Sequence, residues 1–336
     1  MGGSMSLILV TGGSGRIGSR LAQTLKQSGH QVRAFDRVAP PTGTADDYVV
    51  GDLDDAQALA AALDGVTAVA HLAALMSWHP KDEDAMFAIN VQGTYNLLQA
   101  TRGLSLERFV FASSGEVYPE LKPQYLPIDE NHPTLPTSAY GMTKLLGEEM
   151  VKGFARRHGL STCILRFAHT QAPEELFDAN SFFSGPRFYI NAKLRQLRGL
   201  PPSSAVEQSI AALEAVATPE EQHFIGCAPD GTPYRMGICS VSDMIEGVRL
   251  GLEHPAASGE TFNIGPQKAV AFDEFVPYLA QKTGLPVQPV SLHTASYRYE
   301  TSVEKAQREL GYAPQMTIFD MIDEGAKLRE GNFAAD

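Results

Sequence analysis

An α/β fold built on a doubly wound parallel sheet is predicted for this chain by three observations. Short β-branched or apolar runs alternate with helical patterns through the first half. Several of those runs are apolar throughout instead of alternating, as happens when helices cover both faces of a sheet. With 336 residues, 43% hydrophobic and 20% charged, the chain has ample material for a large core.

Taken in order, strands are predicted at 7–11, 31–36, 48–52, 68–73, 108–113 and 161–167, with helices between them at 16–28, 56–63, 84–102 and 139–158. Strand–helix alternation at this spacing indicates parallel strands joined by helical crossovers. From Pro173 to about Gly237 the chain is richer in Pro, Gly and Ser, with helical patterns only at 190–198 and 204–217. Helices are predicted again at 241–252, 272–283 and 303–310, and a strand at 260–265. Residues 5–170 are therefore expected to form a nucleotide-binding domain. Residues 171–332 are expected to form mainly a smaller substrate-binding lobe whose chain returns at intervals to the sheet. Residues 1–4, ahead of a second methionine at Met5, read as a tag remnant.

The charge balance narrows the partners. Lysine and arginine number 27 against 39 acidic residues, a formal charge of −12, so the surface as a whole repels nucleic acid and anionic lipid. No apolar run approaches the ~18 residues of a membrane span, and no secretory leader is visible. Cys163, Cys227 and Cys239 fit neither a zinc site nor a disulfide framework, which suits a reducing cytoplasm. No metal ligand set is expected.

The segment Thr11-Gly12-Gly13-Ser14-Gly15-Arg16-Ile17-Gly18 follows the first strand and opens the first helix. Its glycines permit a tight turn, close approach of a pyrophosphate to the backbone, and close packing of helix on strand. The anion would rest on the unpaired N–H groups and positive dipole end of the helix. Asp36, 18 residues beyond Gly18 at the end of the next strand, would accept bonds from a ribose diol and repel a 2′-phosphate. These signals agree on a Rossmann-type dinucleotide site. Asp36 favours NAD, whereas the adjacent Arg37 would favour the phosphorylated cofactor.

Oxidising an alcohol requires a group that removes its proton, and a free tyrosine titrates near ~10. A lysine one helical turn later stabilises the phenolate. Tyr140/Lys144, Tyr118/Lys122 and Tyr278/Lys282 all have that spacing. Pro119 disfavours helix after Tyr118, and Tyr278 lies far from the glycine-rich turn. Only Tyr140/Lys144 follows a strand ending in hydroxyls, Ser113-Ser114, one of which could bond the same substrate oxygen.

These residues resemble the extended short-chain dehydrogenase/reductase family, in particular its NAD-dependent sugar epimerase/dehydratase branch. The resemblance implies Ser114, Tyr140 and Lys144 as the catalytic set. It also assigns Asp52-Leu53 to the adenine, and Leu72-Ala73-Ala74 to the strand end beside the cofactor, backed by Asn90-Val91-Gln92-Gly93-Thr94. Arg235, in Asp230-Gly231-Thr232-Pro233-Tyr234-Arg235, is similar to an arginine that binds a nucleotide-sugar diphosphate. Where many members have asparagine, this chain has His169, read either as a substrate ligand or as a structural histidine. Glu116 matches an acidic residue of the dehydratases and uronate decarboxylases. Gly115 stands where dehydratases add their acidic aspartate, so dehydration lacks its acid. Residues 177–224 match no motif, and the family's arginine-proline-glycine-aspartate element is absent.

The expected function is NAD-dependent epimerisation of a sugar, probed against three alternatives: net dehydrogenation of a hydroxyl compound, uronate decarboxylation, and NAD binding without turnover. The expected partners are a small carbohydrate and, through helices 84–102 and 139–158, a second copy of the chain.

Overall fold

The computed structural model describes residues 6–119, 121–294 and 297–333; residues 1–4 lie outside that range. Six strands in the first half, β1 (Leu7–Thr11), β2 (Gln31–Asp36), β3 (Asp47–Val50), β4 (Ala68–His71), β5 (Arg108–Ser114) and β6 (Thr162–Phe167), join a later strand, Thr261–Ile264, in one sheet. The spatial order is Thr261–Ile264, β6, β5, β4, β1, β2, β3, and every neighbouring pair is parallel. This is the Rossmann-like sheet that the alternating pattern predicts. Its order reverses between β1 and β4, which opens a crevice beyond their carboxyl ends.

Period-two alternation explains the two covered faces. Ile8 and Val10 of β1 enter a core with Leu21 and Leu25 of the Gly18–Gln27 helix and Met244 and Val248 of the Val241–Glu253 helix. Leu9, between them, enters the opposite core with Leu59, Leu97 and Val151 from the Ala56–Leu63, Gly93–Ala100 and Ala139–His158 helices.

A separate apolar cluster lies in the second half of the chain. The parallel strands His223–Cys227 and Val287–Ser291 supply Phe224 and Val290. The Ile190–Arg198, Phe272–Thr283 and Ile318–Phe333 helices supply Leu194, Phe275 and Met321. The last of these helices is absent from the sequence reading, although Thr317 and Asp320 cap its start by mutual hydrogen bonds.

The predicted 84–102 helix is divided. A wide π turn, Phe87–Gln92, separates Glu83–Met86 from Gly93–Ala100. Such turns displace side chains from the α-helical register, and Asn90 uses the shift. Its amide donates to the Leu75 carbonyl at 2.8 Å and accepts from the Leu75 N–H at 2.7 Å, fixing the loop that leaves β4.

Two small strand groups hang over the carboxyl end of the sheet. His169–Gln171 pairs with Ile238–Ser240. Arg235–Met236 lies between Val270–Ala271 and Arg298–Tyr299. Among the described residues no helix is long and apolar enough to cross a membrane, and no His, Cys, Asp and Glu cluster could hold a metal ion.

Candidate active site and cofactor cleft

Two adjoining cavities occupy the crevice. The first, about 430 Å³, is lined by the glycine turn, Asp36, Asp52 and Leu53 at the strand ends, and Leu72 to Met76 after β4. Gly12, Gly15, Arg16, Ile17, Gly18, Arg37, Ala73, Ala74, Tyr140 and Lys144 all reach it. Gly13 lies beneath, where a Cβ would stand 2.7 Å from Ala34 Cβ.

The glycine turn is built for close packing. Gly12 has φ +69°, and a Cβ there would stand 2.9 Å from the Ala73 nitrogen. A Cβ on Gly18 would overlap the Gly12 carbonyl oxygen. The turn is tied to β2 by the Gly12 N–H, which donates to the Phe35 carbonyl at 2.9 Å.

This cavity fits an anionic dinucleotide on observations of its own. The Gly18–Gln27 helix starts with no side-chain cap and no acidic residue in its first turn, unlike the neighbouring helices capped by Asp55, Ser138 and Ser240. Its first N–H groups and positive dipole end therefore face the cavity without a resident carboxylate. The Asp36 carboxylate is oriented by the Ser14 N–H at 3.0 Å and the Arg37 N–H at 2.7 Å, ready to accept from vicinal hydroxyls. Asp52 accepts from the Leu53 N–H at 2.7 Å.

Behind the cavity, His71 is buried between Thr11 (2.7 Å) and Thr94 (3.0 Å). Thr94 gives its proton to the Asn90 carbonyl, so it accepts from His71 Nε2, and His71 Nδ1 accepts from Thr11. That neutral tautomer agrees with the imidazole being pushed down to about 3, chiefly by burial and then by Lys144. His71 thus ties Thr11, at the end of β1, to Thr94 of the Gly93–Ala100 helix.

The second cavity, a cleft of about 370 Å³, is lined by Ser114, Glu116, Tyr140, His169, Trp78 and Arg187 among others. Ser113 and Tyr140 line both cavities. Tyr140 stands in the first turn of the Ala139–His158 helix, whose cap is Ser138, accepting from the Gly141 N–H at 2.9 Å. Lys144, one turn on, lies 5.7 Å from the Tyr140 ring centre, and its Nζ donates to the Ala112 carbonyl at 2.8 Å. Burial pulls Lys144 down to about 7 against the opposing pull of Glu148. Burial, then Glu116, pushes the Tyr140 phenol well up. Ser114 ends β5, and its hydroxyl accepts from the Glu116 N–H at 3.1 Å.

Glu116 is held by the Ser138 hydroxyl and, more loosely, by Trp78 Nε1 at 3.5 Å. Burial raises its carboxyl, while those two bonds and Arg187 oppose the rise. The site of a side chain at Gly115 is taken by the Tyr299 hydroxyl, which a Cβ would overlap.

Two predicted substrate contacts fare differently. His169 does line the cleft, edge-on to Phe183 at 5.0 Å between ring centres. Burial, then Arg187 and Arg16, holds it well below the ordinary histidine range, and its Nε2 has no hydrogen-bond partner among the described residues. Arg235 is not brought to the cleft. Adjacent side chains of a strand point to opposite faces. Met236 therefore lines the cleft, whereas Arg235 turns to the Ala269 carbonyl, 3.0 Å away, and to Glu274 and Glu300.

Arg16 lines the cleft, and so does Arg187, which the sequence reading missed. Arg187 lies 5.4, 5.8 and 5.9 Å from the ring centres of Trp78, Phe183 and Tyr297. Trp78 stacks on Phe182 at 4.5 Å. Arg16 crosses from the glycine turn to this wall, donating to the Thr170 carbonyl and to Glu175 and covering Phe183 at 4.8 Å. The available signal was the chain's single tryptophan, in the loop after β4, and Phe183 four residues before Arg187.

Residues 8–265 match the model of the NAD dependent epimerase/dehydratase family. A short-chain dehydrogenase/reductase superfamily protein from Agrobacterium tumefaciens, crystallised with bound NAD, is 42% identical, with a TM-score of 0.88 over 98% of each chain. A putative UDP-glucose 4-epimerase of Methanocaldococcus jannaschii is 37% identical over 178 residues, 48% of this chain and 55% of that protein. The UDP-glucose 4-epimerase of Corynebacterium glutamicum is 28% identical over 95% of this chain and 94% of its own length. The chain thus spans little more than half of the Methanocaldococcus protein but nearly all of the other two. With the family model matched across most of its length and the fold shared from end to end, this chain belongs to the NAD dependent epimerase/dehydratase family.

Proposed function

We propose that this protein is an NAD-dependent epimerase acting on a nucleotide-linked sugar. One observation carries the reading: Tyr140, with Lys144 one turn behind it, stands where the cavity lined by the glycine turn and Asp36 meets a second cleft of polar and aromatic side chains. Asp36 selects NAD by accepting from the ribose hydroxyls. When bound, NAD supplies a reversible hydride acceptor. The chain's own task is the proton. Ser114 orients the substrate hydroxyl, and Tyr140 removes its proton and later returns it. Lys144, charged, lowers the cost of the phenolate. The relatives named UDP-glucose 4-epimerases support the substrate class.

Glu116 favours a second reading, uronate decarboxylation, because it places a buried, oriented carboxyl in the cleft beside Tyr140. Dehydration has no comparable support, since Tyr299 occupies the space that an acid at position 115 would need. We read the working form as a homodimer in a reducing compartment, consistent with three buried free cysteines.

Incubation with UDP-glucose, UDP-galactose and UDP-glucuronate, followed by NMR and by NADH absorbance, tests the reading. The expected result is an epimer without net NADH, and loss of about a hundredfold or more in kcat for Tyr140→Phe. NADH accumulating mole for mole with product makes it a net dehydrogenase instead; carbon dioxide release makes it a decarboxylase.

A further inference from the structure

The two cavities share a wall that the sheet does not supply. Phe182 lines the first and Trp78 the second, and Phe183 lines both. Trp78 belongs to the loop after β4, whereas the phenylalanines belong to residues 178–184. Where the two segments meet, the rings of Trp78 and Phe182 stack at 4.5 Å between centres and 10° between planes. Phe182 is nonetheless 49% exposed. A ring half in water, lying face to face on a ring from another segment, makes a contact that can part at small cost, since an aromatic pair adds only modestly to plain burial.

The ends of this segment are fixed. Before it, Glu175 accepts from the Ala172 N–H at 2.7 Å and from Arg16 at 2.6 Å, and the same guanidinium donates to the Thr170 carbonyl at 3.0 Å. Arg20, in the helix that follows the glycine turn, pairs with Glu174. At the far end the buried Ser184 hydroxyl accepts from Gln171 Nε2 at 2.8 Å. Arg16 belongs to the glycine turn, so the segment is tied to the floor of the first cavity. Its rings stand between two anchored points.

We propose that residues 178–184 form a strap over bound NAD, latched by the stacking of Phe182 on Trp78, and that the latch keeps the reduced cofactor in place until the keto sugar takes its hydride back. The proposal rests on the NAD-dependent epimerase reading and names the residues that prevent net release of NADH. An epimerase passes a hydride to its cofactor and returns it to the same carbon, so NADH lost between the two steps would strand a keto sugar. Retention needs a cover that opens for loading and seldom during turnover, and such covers come from the weakly held parts of a fold. The Trp78–Phe182 contact meets both needs, because its bases are anchored and its closure depends on one pair of rings.

The test is the rate of NADH release from the preloaded protein, chased with excess NAD in a stopped-flow instrument and read by nicotinamide fluorescence. Trp78 is the chain's only tryptophan, so energy transfer from its ring reports the same event wherever it is kept. Phe182→Ala and Trp78→Ala should each release NADH about tenfold faster than the parent. Phe182→Tyr keeps the stack and should stay close to the parent. The two losses should not add, since either substitution opens the same latch. Release at the parent's rate in Phe182→Ala overturns the proposal, as does a double variant whose rate is the product of the two single effects. The two readings fail separately. Faster release in both variants, without an epimer from any sugar nucleotide, leaves the latch and removes the epimerase. Epimer formation with release indifferent to both substitutions does the reverse.

Discussion

Lys144 stands in a place that does not suit its charge, and that conflict is measurable. It is 4% exposed, and burial pulls it from 10.5 to about 7. Between those values the unfolded chain holds a proton that the folded chain has shed. Stability therefore rises with pH across that window and is lowest below it. Lys144→Met should stabilise the cofactor-free protein by a few kcal/mol more at pH 6 than at pH 9.5, read from urea midpoints, while lowering kcat by about a hundredfold. An equal effect at both pH values would show that the folded protein keeps the proton. Glu116 acts on the same chemistry from the other side, since its carboxylate holds the Tyr140 phenol up. Glu116→Gln removes that charge and keeps the shape, so the rising limb of the kcat/KM profile should move to lower pH, by up to about one unit. If Glu116 also serves a step after oxidation, single-turnover reduction of bound NAD will survive the substitution while product formation drops. A profile and product yield matching the parent would reduce Glu116 to a clasp for Ser138.

The Ala139–His158 helix aims these groups because Tyr140, Lys144 and Glu148 share one face at four-residue spacing, and the last of them is anchored. Glu148 takes two bonds from Arg166 of β6, at 2.9 and 2.8 Å, and one from Ser113 of β5 at 2.6 Å. Arg166 continues to the Tyr118 hydroxyl, which donates to Asn263 of the next strand at 2.8 Å. Arg166→Met alone leaves the buried Glu148 with only the Ser113 hydroxyl and the looser Lys152, 3.5 Å away, to answer its charge, and should cost about 3 kcal/mol. Adding Glu148→Leu should recover most of that loss, and a double-mutant cycle that comes out additive would rule out direct coupling. The network also explains why the tyrosine–lysine spacing alone could not choose a catalytic pair. Tyr118 is spent on it, and Tyr278 with Lys282 is bound to Asp323. What discriminated in the sequence was local order: a glycine turn after one strand and hydroxyls at the end of another. Each of those signals is confined to a few consecutive residues, so the sheet, the turn and Tyr140 were legible. The aromatic wall was not, because Trp78, Phe182, Phe183, Arg187 and Tyr297 come from three separate segments that only tertiary packing joins. Arg235 shows the same limit at single-residue resolution. A strand of two residues, Arg235–Met236, is too short to reveal by alternation which side chain faces inward.

At the scale of the whole molecule, the helix that carries Tyr140 and Lys144 has an outer face with exposed apolar side chains. Met142 and Leu146 are 48% and 39% exposed, each two residues past Tyr140 and Lys144, where the helix has turned away from the sheet. Phe87 and Tyr95, 48% and 41% exposed, stand on the neighbouring segment that contains the π turn and the helix after it. Tyr95 meets Phe154 edge-on at 6.3 Å between ring centres, so the two helices present one continuous surface. Four large apolar side chains on adjacent helices exceed what scattered surface residues require, and two-fold pairing would bury the same patch from both copies. A stable interface needs about 800 Å² from each partner. Sedimentation at micromolar concentration should therefore show a dimer, and Met142→Glu with Leu146→Glu should give a folded monomer. Because the substituted side chains share the helix with Tyr140 and Lys144, dissociation removes packing from the back of the catalytic residues. The monomer is expected to keep its NAD affinity, set by the glycine turn and Asp36, but to lose about tenfold in kcat, the scale of a modest misplacement of the base. A parent protein that sediments as a monomer would remove the pairing, and a fully active double variant would show that the helix needs no second copy to hold its aim.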